Sequence, residues 1–260
     1  MTRDVWLARH PYLQPVADVQ SLVEAAADGI AVPSAPTPDW EHYAADFHAG
    51  MPLLRSSTVA FDFSAVETAV HSLIRSLASA SLPEPLAAPC RDLEAEIETT
   101  DSRSPGHPGL LHYLGWVVLV RYLAPVVSAF DAWRDEERWL RNYCPTCGEP
   151  PTMAQLVGKD PGRLRMLSCG RCRTRWRYSR TGCPFCEAQG AHRLAVVAVE
   201  GEAGLRIDYC DACSGYLKTY DGEGSESVLL ADWTSLHLDM IARDRGLKRL
   251  AASLYDLDAS

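Results

Sequence analysis

Eight of the nine cysteines stand as four Cys-x-x-Cys pairs: Cys144 with Cys147, Cys169 with Cys172, Cys183 with Cys186, and Cys210 with Cys213. Two residues between thiols let one tight turn present both sulfurs to a single ion, and a tetrahedral site needs two such turns facing each other. The gaps between successive pairs are 21, 10 and 23 residues. Two long, nearly equal gaps around a short one read as a tandem duplication, in which a knuckle, a small hairpin and a second knuckle close on one metal. The spacing predicts one ion held by Cys144, Cys147, Cys169 and Cys172, and another by Cys183, Cys186, Cys210 and Cys213. Joining outer with outer and inner with inner would leave only 10 residues between two knuckles that must face each other.

Each unit opens with Cys-Pro-x-Cys, and Gly148 follows the first knuckle, where a positive φ lets amides turn toward the sulfurs. Four thiolates close the coordination sphere, whereas catalytic zinc keeps a position open. No His-x-Glu stands upstream of a Pro-Cys-x-x-Cys, so a zinc deaminase is excluded. Thioredoxin-type dithiols stand alone in a βαβ context, unlike these. The expectation is no enzyme and two structural ions, iron or zinc, since both suit four tetrahedral thiolates.

The elements that position these pairs change in character along the chain. Before residue 143 the only cysteine is Cys90, and the texture is helical. From Asp62 to Ser81, Phe63, Val66, Val70, Leu73, Ile74 and Leu77 recur at helical steps, with Ser64 and Glu67 as a capping box. Leu86, Cys90, Leu93 and Ile97 repeat the pattern. Leu110 to Phe130 has spanning length but carries His112, Arg121 and Pro125, which predicts a core helix and no membrane partner. The segment Trp133 to Leu140 would extend that helix. Breaks are expected at Pro33, Pro36 and Pro38, at Leu82 to Pro85, and at Ser104 to Pro108. Arg193 to Glu200 and Leu205 to Tyr209 read as a hairpin turning at Gly201 to Gly204. Asp232 would cap a last helix lined by Trp233, Leu236, His237, Met240 and Ile241.

The fold class is therefore α plus small β: a helical domain over 1–142, rubredoxin-like or zinc-ribbon modules over 143–181 and 182–222, and a C-terminal helical segment over 223–260. A net charge of −9 argues against wholesale attraction to nucleic acid or anionic lipid. Lys159 to Arg180 nevertheless holds eight basic residues and one acidic. Within it Arg171, Arg173, Arg175 and Arg177 alternate with Cys172, Thr174, Trp176 and Tyr178, as a strand with one basic face would. That pattern supports a rival function, a nucleic-acid-binding zinc ribbon. The first residues hold no apolar signal core, which places the paired thiols in a reducing cytoplasm.

Cys144-Pro145-Thr146-Cys147-Gly148 with Pro150 and Pro151, Ser168-Cys169 with Cys172 and Trp176, and Cys183 to Cys186 resemble the formate dehydrogenase accessory protein FdhE family. So do Tyr209-Cys210-Asp211 with Cys213, Tyr216-Leu217-Lys218, and Asp232 through Leu236-His237-Leu238-Asp239. The chain departs at Ser214, where many members carry His. The resemblance implies a cytoplasmic maturation factor, itself no enzyme, that binds the catalytic subunit of a formate dehydrogenase through a helical domain and two rubredoxin-like modules. It favours iron over zinc. A third reading is a one-electron redox protein.

Other residues have plainer expectations. Lys218 is expected on the surface, His237 as a packed core residue with one hydrogen bond, and Cys90 as a buried, inert thiol.

Overall fold

A computed structural model describes residues 1–80, 82–99, 106–159, 162–202 and 204–255. Ser81, Ser104 and Pro105 of the expected helix end and break, and Ala203 of the expected turn, lie outside these. The chain is helical with one small sheet, as the fold class required, and forms two compact units.

One unit comprises Tyr12–Pro38, Ala60–Ala132 and the chain from Leu254. Its helices are α2 (Gln14–Asp28), which follows the short α1 (Arg3–Arg9) of the other unit, then α4 (Phe63–Ala78), α5 (Glu84–Thr99) and α6 (Pro108–Trp133). Helix α4 buries Val66, Ala69, Val70, Leu73, Ile74 and Leu77, the three- and four-residue spacing that makes one apolar stripe. Each large side chain in it contributes about 1.5–3 kcal/mol of transfer free energy. Phe63 is half exposed and stands off the stripe. The helix cap is Asp62, whose carboxylate accepts from the Ser64 amide at 3.0 Å, so the expected Ser64–Glu67 box is replaced by a cap two residues earlier. Leu86, Cys90 and Leu93 of α5 are buried.

Helix α6 is long and apolar enough to cross a membrane by length and composition. Leu110, Leu114, Val118, Tyr122, Val126 and Phe130 bury one of its faces, and Arg121 pairs with Asp28 of α2 at 2.8 Å. It runs through Pro125 and stops at Trp133. Beyond it the chain turns, with Asp135 accepting from the Glu137 amide, so Trp133 to Leu140 does not extend the helix.

The other unit comprises Met1–Pro11, Asp39–Val59 and Trp133–Ser253. It contains α1, α3 (Trp40–Ala49), six strands, α7 (Glu226–Leu229) and α8 (Leu236–Asp244). The strands are β1 (Met153–Val157), β2 (Leu164–Ser168), β3 (Arg175–Tyr178), β4 (Leu194–Ala198), β5 (Leu205–Cys210) and β6 (Tyr216–Asp221). Each half of the sheet follows the same order of knuckle, two antiparallel strands, knuckle and third strand. The halves join by parallel pairing of β1 with β6, Met153 opposite Lys218 through Leu156 opposite Asp221. The result is one six-stranded sheet in the order β3-β2-β1-β6-β5-β4. Its two central strands bury all but their last residues.

Within the sheet-bearing unit backbone pairing crosses positions 142, 181 and 222. Leu53 and Leu54 donate to the carbonyls of Pro145 and Thr146 at 2.9 and 2.8 Å, and Tyr143 Oη donates to Gly50 O at 2.8 Å. Trp40, Tyr43, Phe47, Trp133 and Trp139 pack ring against ring beside that first knuckle.

Three further expectations are corrected. The arginine strand is only Arg175 to Tyr178: Arg171 lies in the knuckle turn, and Arg173 has a φ of 61° that no strand allows. Asp232 caps no helix. It opens a 3-10 turn with its side chain buried, and α8 buries Leu238 and Ala242 while Met240 of the expected face is exposed. Lys218 is fully buried.

Candidate metal centres

The four knuckles are built alike. The amide of each first cysteine donates to the carbonyl five residues on: Cys144 to Glu149, Cys169 to Thr174, Cys183 to Ala188, and Cys210 to Gly215. The amide four residues on donates back to that cysteine's carbonyl, from Gly148, Arg173, Glu187 and Ser214. All four of these donors have positive φ, 80°, 61°, 58° and 59°. Gly148 meets that demand without strain, and the other three accept it as side-chain-bearing residues.

The structure brings together the two sets that the spacing predicted, and all eight cysteines are unbridged. In the first, Cys144 Sγ lies 3.4 Å from Cys172 Sγ, Cys147 Sγ 3.4 Å from Cys169 Sγ, and Cys172 Sγ 3.6 Å from Cys147 Sγ. In the second, Cys183 and Cys213 are 3.7 Å apart, and Cys186 and Cys210 3.8 Å. Tetrahedral bonds of about 2.3 Å set sulfurs about 3.8 Å apart, so both clusters could hold one iron or zinc ion each.

Burial resists the charge four thiolates would carry. It pushes Cys144 well above the ordinary thiol value and Cys183 up to about 12. Cys172 goes the other way: burial is outweighed by its hydrogen bonds with Cys144, Cys147, Cys169 and Thr174. A divalent cation is what allows all four sulfurs to ionise together.

The sites differ in exposure. All four thiols of the first are buried, whereas in the second Cys186 is exposed and Cys213 half buried. Thr146 and Thr174, both buried, share a 2.7 Å hydrogen bond inside the first site, and Thr174 Oγ1 stands 3.2 Å from Cys172 Sγ. These threonines were not singled out from the sequence, though their places inside and just after a knuckle are readable there. In the second site the amides of Phe185 and Gly215 donate to Cys183 Sγ and Cys213 Sγ, each at 3.4 Å.

The family described as FdhE, central domain, matches residues 143–180, the span of the first cluster. A Pseudomonas aeruginosa protein named Protein FdhE homolog is 39% identical over 121 residues, 42% of this chain and 38% of the relative. One from Aquifex aeolicus is 33% identical over 133 residues, 49% and 47%. Over these segments the chain is similar to proteins of the FdhE family. Protein FdhE of Escherichia coli is 32% identical over 139 residues, 52% of this chain and 44% of that one. The chain spans about half the length of the curated FdhE relatives it matches. The crystal structure of the FdhE protein from Pseudomonas aeruginosa shares the fold, with a TM-score of 0.61 at 23% identity over 98% of this chain and 96% of that one.

The remaining expected site features resolve differently. Arg171 pairs with Glu149 at 2.9 Å, Arg177 with Glu137 at 3.0 Å, and Arg175 donates to Gln155. These guanidiniums are committed within the chain. His237 has more company than one hydrogen bond, since Glu202 and His10 both stand against it.

Proposed function

We propose that this chain is an accessory factor for maturation of a formate dehydrogenase: it binds the catalytic subunit in the cytoplasm and is itself no enzyme. The observation that supports this reading is the pair of four-cysteine clusters with tetrahedral sulfur spacing in a chain similar to proteins of the FdhE family. Cys144, Cys147, Cys169 and Cys172 would hold one ion, and Cys183, Cys186, Cys210 and Cys213 the other, with iron favoured over zinc. Such an ion supplies a closed tetrathiolate that ties two turns together, and iron would add a one-electron couple. The knuckle amides hold the sulfurs in place and the strands between them carry the sheet. A full coordination sphere offers substrate no position, which fits a docking protein better than a hydrolase.

The rival nucleic-acid reading loses its open basic strand, because Arg171, Arg175 and Arg177 have partners within the chain. The test is affinity capture with the tagged full chain from cells making a formate dehydrogenase, alongside dehydrogenase activity in a strain lacking the gene. Recovery of the catalytic subunit, and activity restored by the wild type but not by Cys183→Ser, is expected. Full activity in the deletion strain, or retention on DNA that falls steeply with salt and no dehydrogenase captured, would overturn it.

A further inference from the structure

Away from both cysteine clusters, three elements of the sheet-bearing unit bring two imidazoles and one carboxylate together. His10 is the residue that ends α1, Glu202 sits in the turn between β4 and β5, and His237 lies in the first turn of α8. Their side chains are only 7%, 7% and 13% exposed. One oxygen, Glu202 Oε1, lies 2.6 Å from His10 Nε2 and 2.8 Å from His237 Nε2. The other, Glu202 Oε2, is buried and takes no hydrogen bond among the described residues.

The tautomer of His10 follows from its second nitrogen. His10 Nδ1 is 3.0 Å from the carbonyl of Trp6, which can only accept, so Nδ1 carries the proton. A neutral His10 then aims the lone pair of Nε2 at a carboxylate oxygen. Two lone pairs at that separation require a cation between them, either an added proton or a metal. An imidazole held by a backbone carbonyl on one nitrogen, with the other turned toward an anionic oxygen, is oriented as metal-binding histidines are. Trp6 fixes it further, stacking on the His10 ring at 3.8 Å while Trp6 Nε1 donates to Thr234 O at 3.0 Å, three residues before His237.

We propose that His10, Glu202 and His237 form a third metal site, which takes a divalent transition cation of the zinc class. Two imidazoles and a carboxylate are borderline ligands suited to zinc, cobalt or nickel rather than to magnesium or calcium. All three ligand atoms lie within 4.8 Å of one another. Bonds of about 2.0–2.1 Å set tetrahedral nitrogen and oxygen ligands about 3.3 Å apart, so the ion separates the short contacts by about 0.5–0.7 Å. Glu202 Oε2 can then serve as a second donor, and a three-residue set leaves one position for water or a partner's side chain.

The site is independent of the cysteine clusters, and so is its test. The full chain is dialysed against buffered zinc, and total iron and zinc are measured for wild type, Glu202→Gln and His237→Ala. The wild type is expected to hold one ion per chain more than either variant, whatever the cysteine clusters contain. Equal metal in all three overturns the proposal, as does an extra ion that survives both substitutions. Because a variant can lose its fold, ring-nitrogen NMR of the wild type gives a second reading. Zinc should shift the Nε2 resonances of two histidines, and a titration that moves no histidine overturns it.

Discussion

Lys218 Nζ lies 2.6 Å from Asp232 Oδ1, with the two side chains 1% and 4% exposed. Asp239 Oδ2 stands 2.8 Å from the same nitrogen, the carbonyls of Asp232 and Ser235 accept from it, and Arg249 reaches both carboxylates at 2.7 Å. This network ties β6 to the segment running from the 3-10 turn through α8. Removing one charge from a buried set leaves its partners uncompensated, so Lys218→Met should destabilise the chain by about 3–5 kcal/mol. Denaturant unfolding with metal content held constant measures it; a loss below about 1 kcal/mol would show the charges to be better hydrated than their burial implies.

The same network sets an acid limit. Burial opposes the charge of Asp232, but Lys218 and Arg249 outweigh it and hold the carboxyl well below its ordinary 3.8. Asp239, Tyr216 Oη on Asp239 and Ser253 Oγ on Asp232 complete the surroundings. The unfolded chain takes up this proton first, so the stabilisation is full above about pH 4 and drains away as pH falls toward the folded value. Asp232→Asn should be less stable at neutral pH yet lose less on acidification below about pH 4. Parallel curves for the two proteins would contradict the assignment.

The two cysteine sites should release metal at different rates, because a chelator reaches exposed Cys186 and half-buried Cys213 but none of the four buried thiols of the first site. Colorimetric chelator assays should resolve a fast and a slow phase of equal amplitude. In Cys186→Ser the fast phase should vanish and the slow one persist. A single phase in the wild type would mean that exposure of these sulfurs does not control access.

Cys90 is fully buried in α5, and burial pushes its thiol up to about 11. It should resist alkylation at pH 8 in the folded protein, and Cys90→Ala should cost about 1–2 kcal/mol with no change in bound metal. Rapid labelling of the native chain at this position would show that α5 opens far more readily than its packing suggests.

Ser214 holds a φ of 59° while its amide donates to Cys210 O at 2.8 Å. Glycine relieves about 1 kcal/mol of left-handed strain but frees the unfolded chain by a similar amount, so Ser214→Gly should lie within about 0.5 kcal/mol of wild type. A β-branched residue has no such relief, and Ser214→Val should cost about 1–3 kcal/mol and quicken metal loss from the second site. Thermal melts and chelator kinetics on both variants decide it, since equal behaviour would place the strain elsewhere.

What the sequence determined by itself is what short-range geometry controls. A Cys-x-x-Cys turn closes within a few residues whatever surrounds it, and gaps of 21 and 23 residues around one of 10 already choose which knuckles meet. The stripe of α4 and the β4–β5 hairpin were legible for the same reason, since a period of 3.6 or 2 is a local property. Only the tertiary structure decided that β1 pairs in parallel with β6, because nothing in either strand names a neighbour so far along the chain. It also decided that Lys218, identical in sequence to any surface lysine, is enclosed: the two aspartates and the arginine that offset its burial come from beyond its own strand. His10 and Glu202 stand 192 residues apart and meet only because α1 and the β4–β5 turn fold onto α8. A buried charge is defined by its partners, and partners brought together across the chain leave no periodic mark on the residues that separate them.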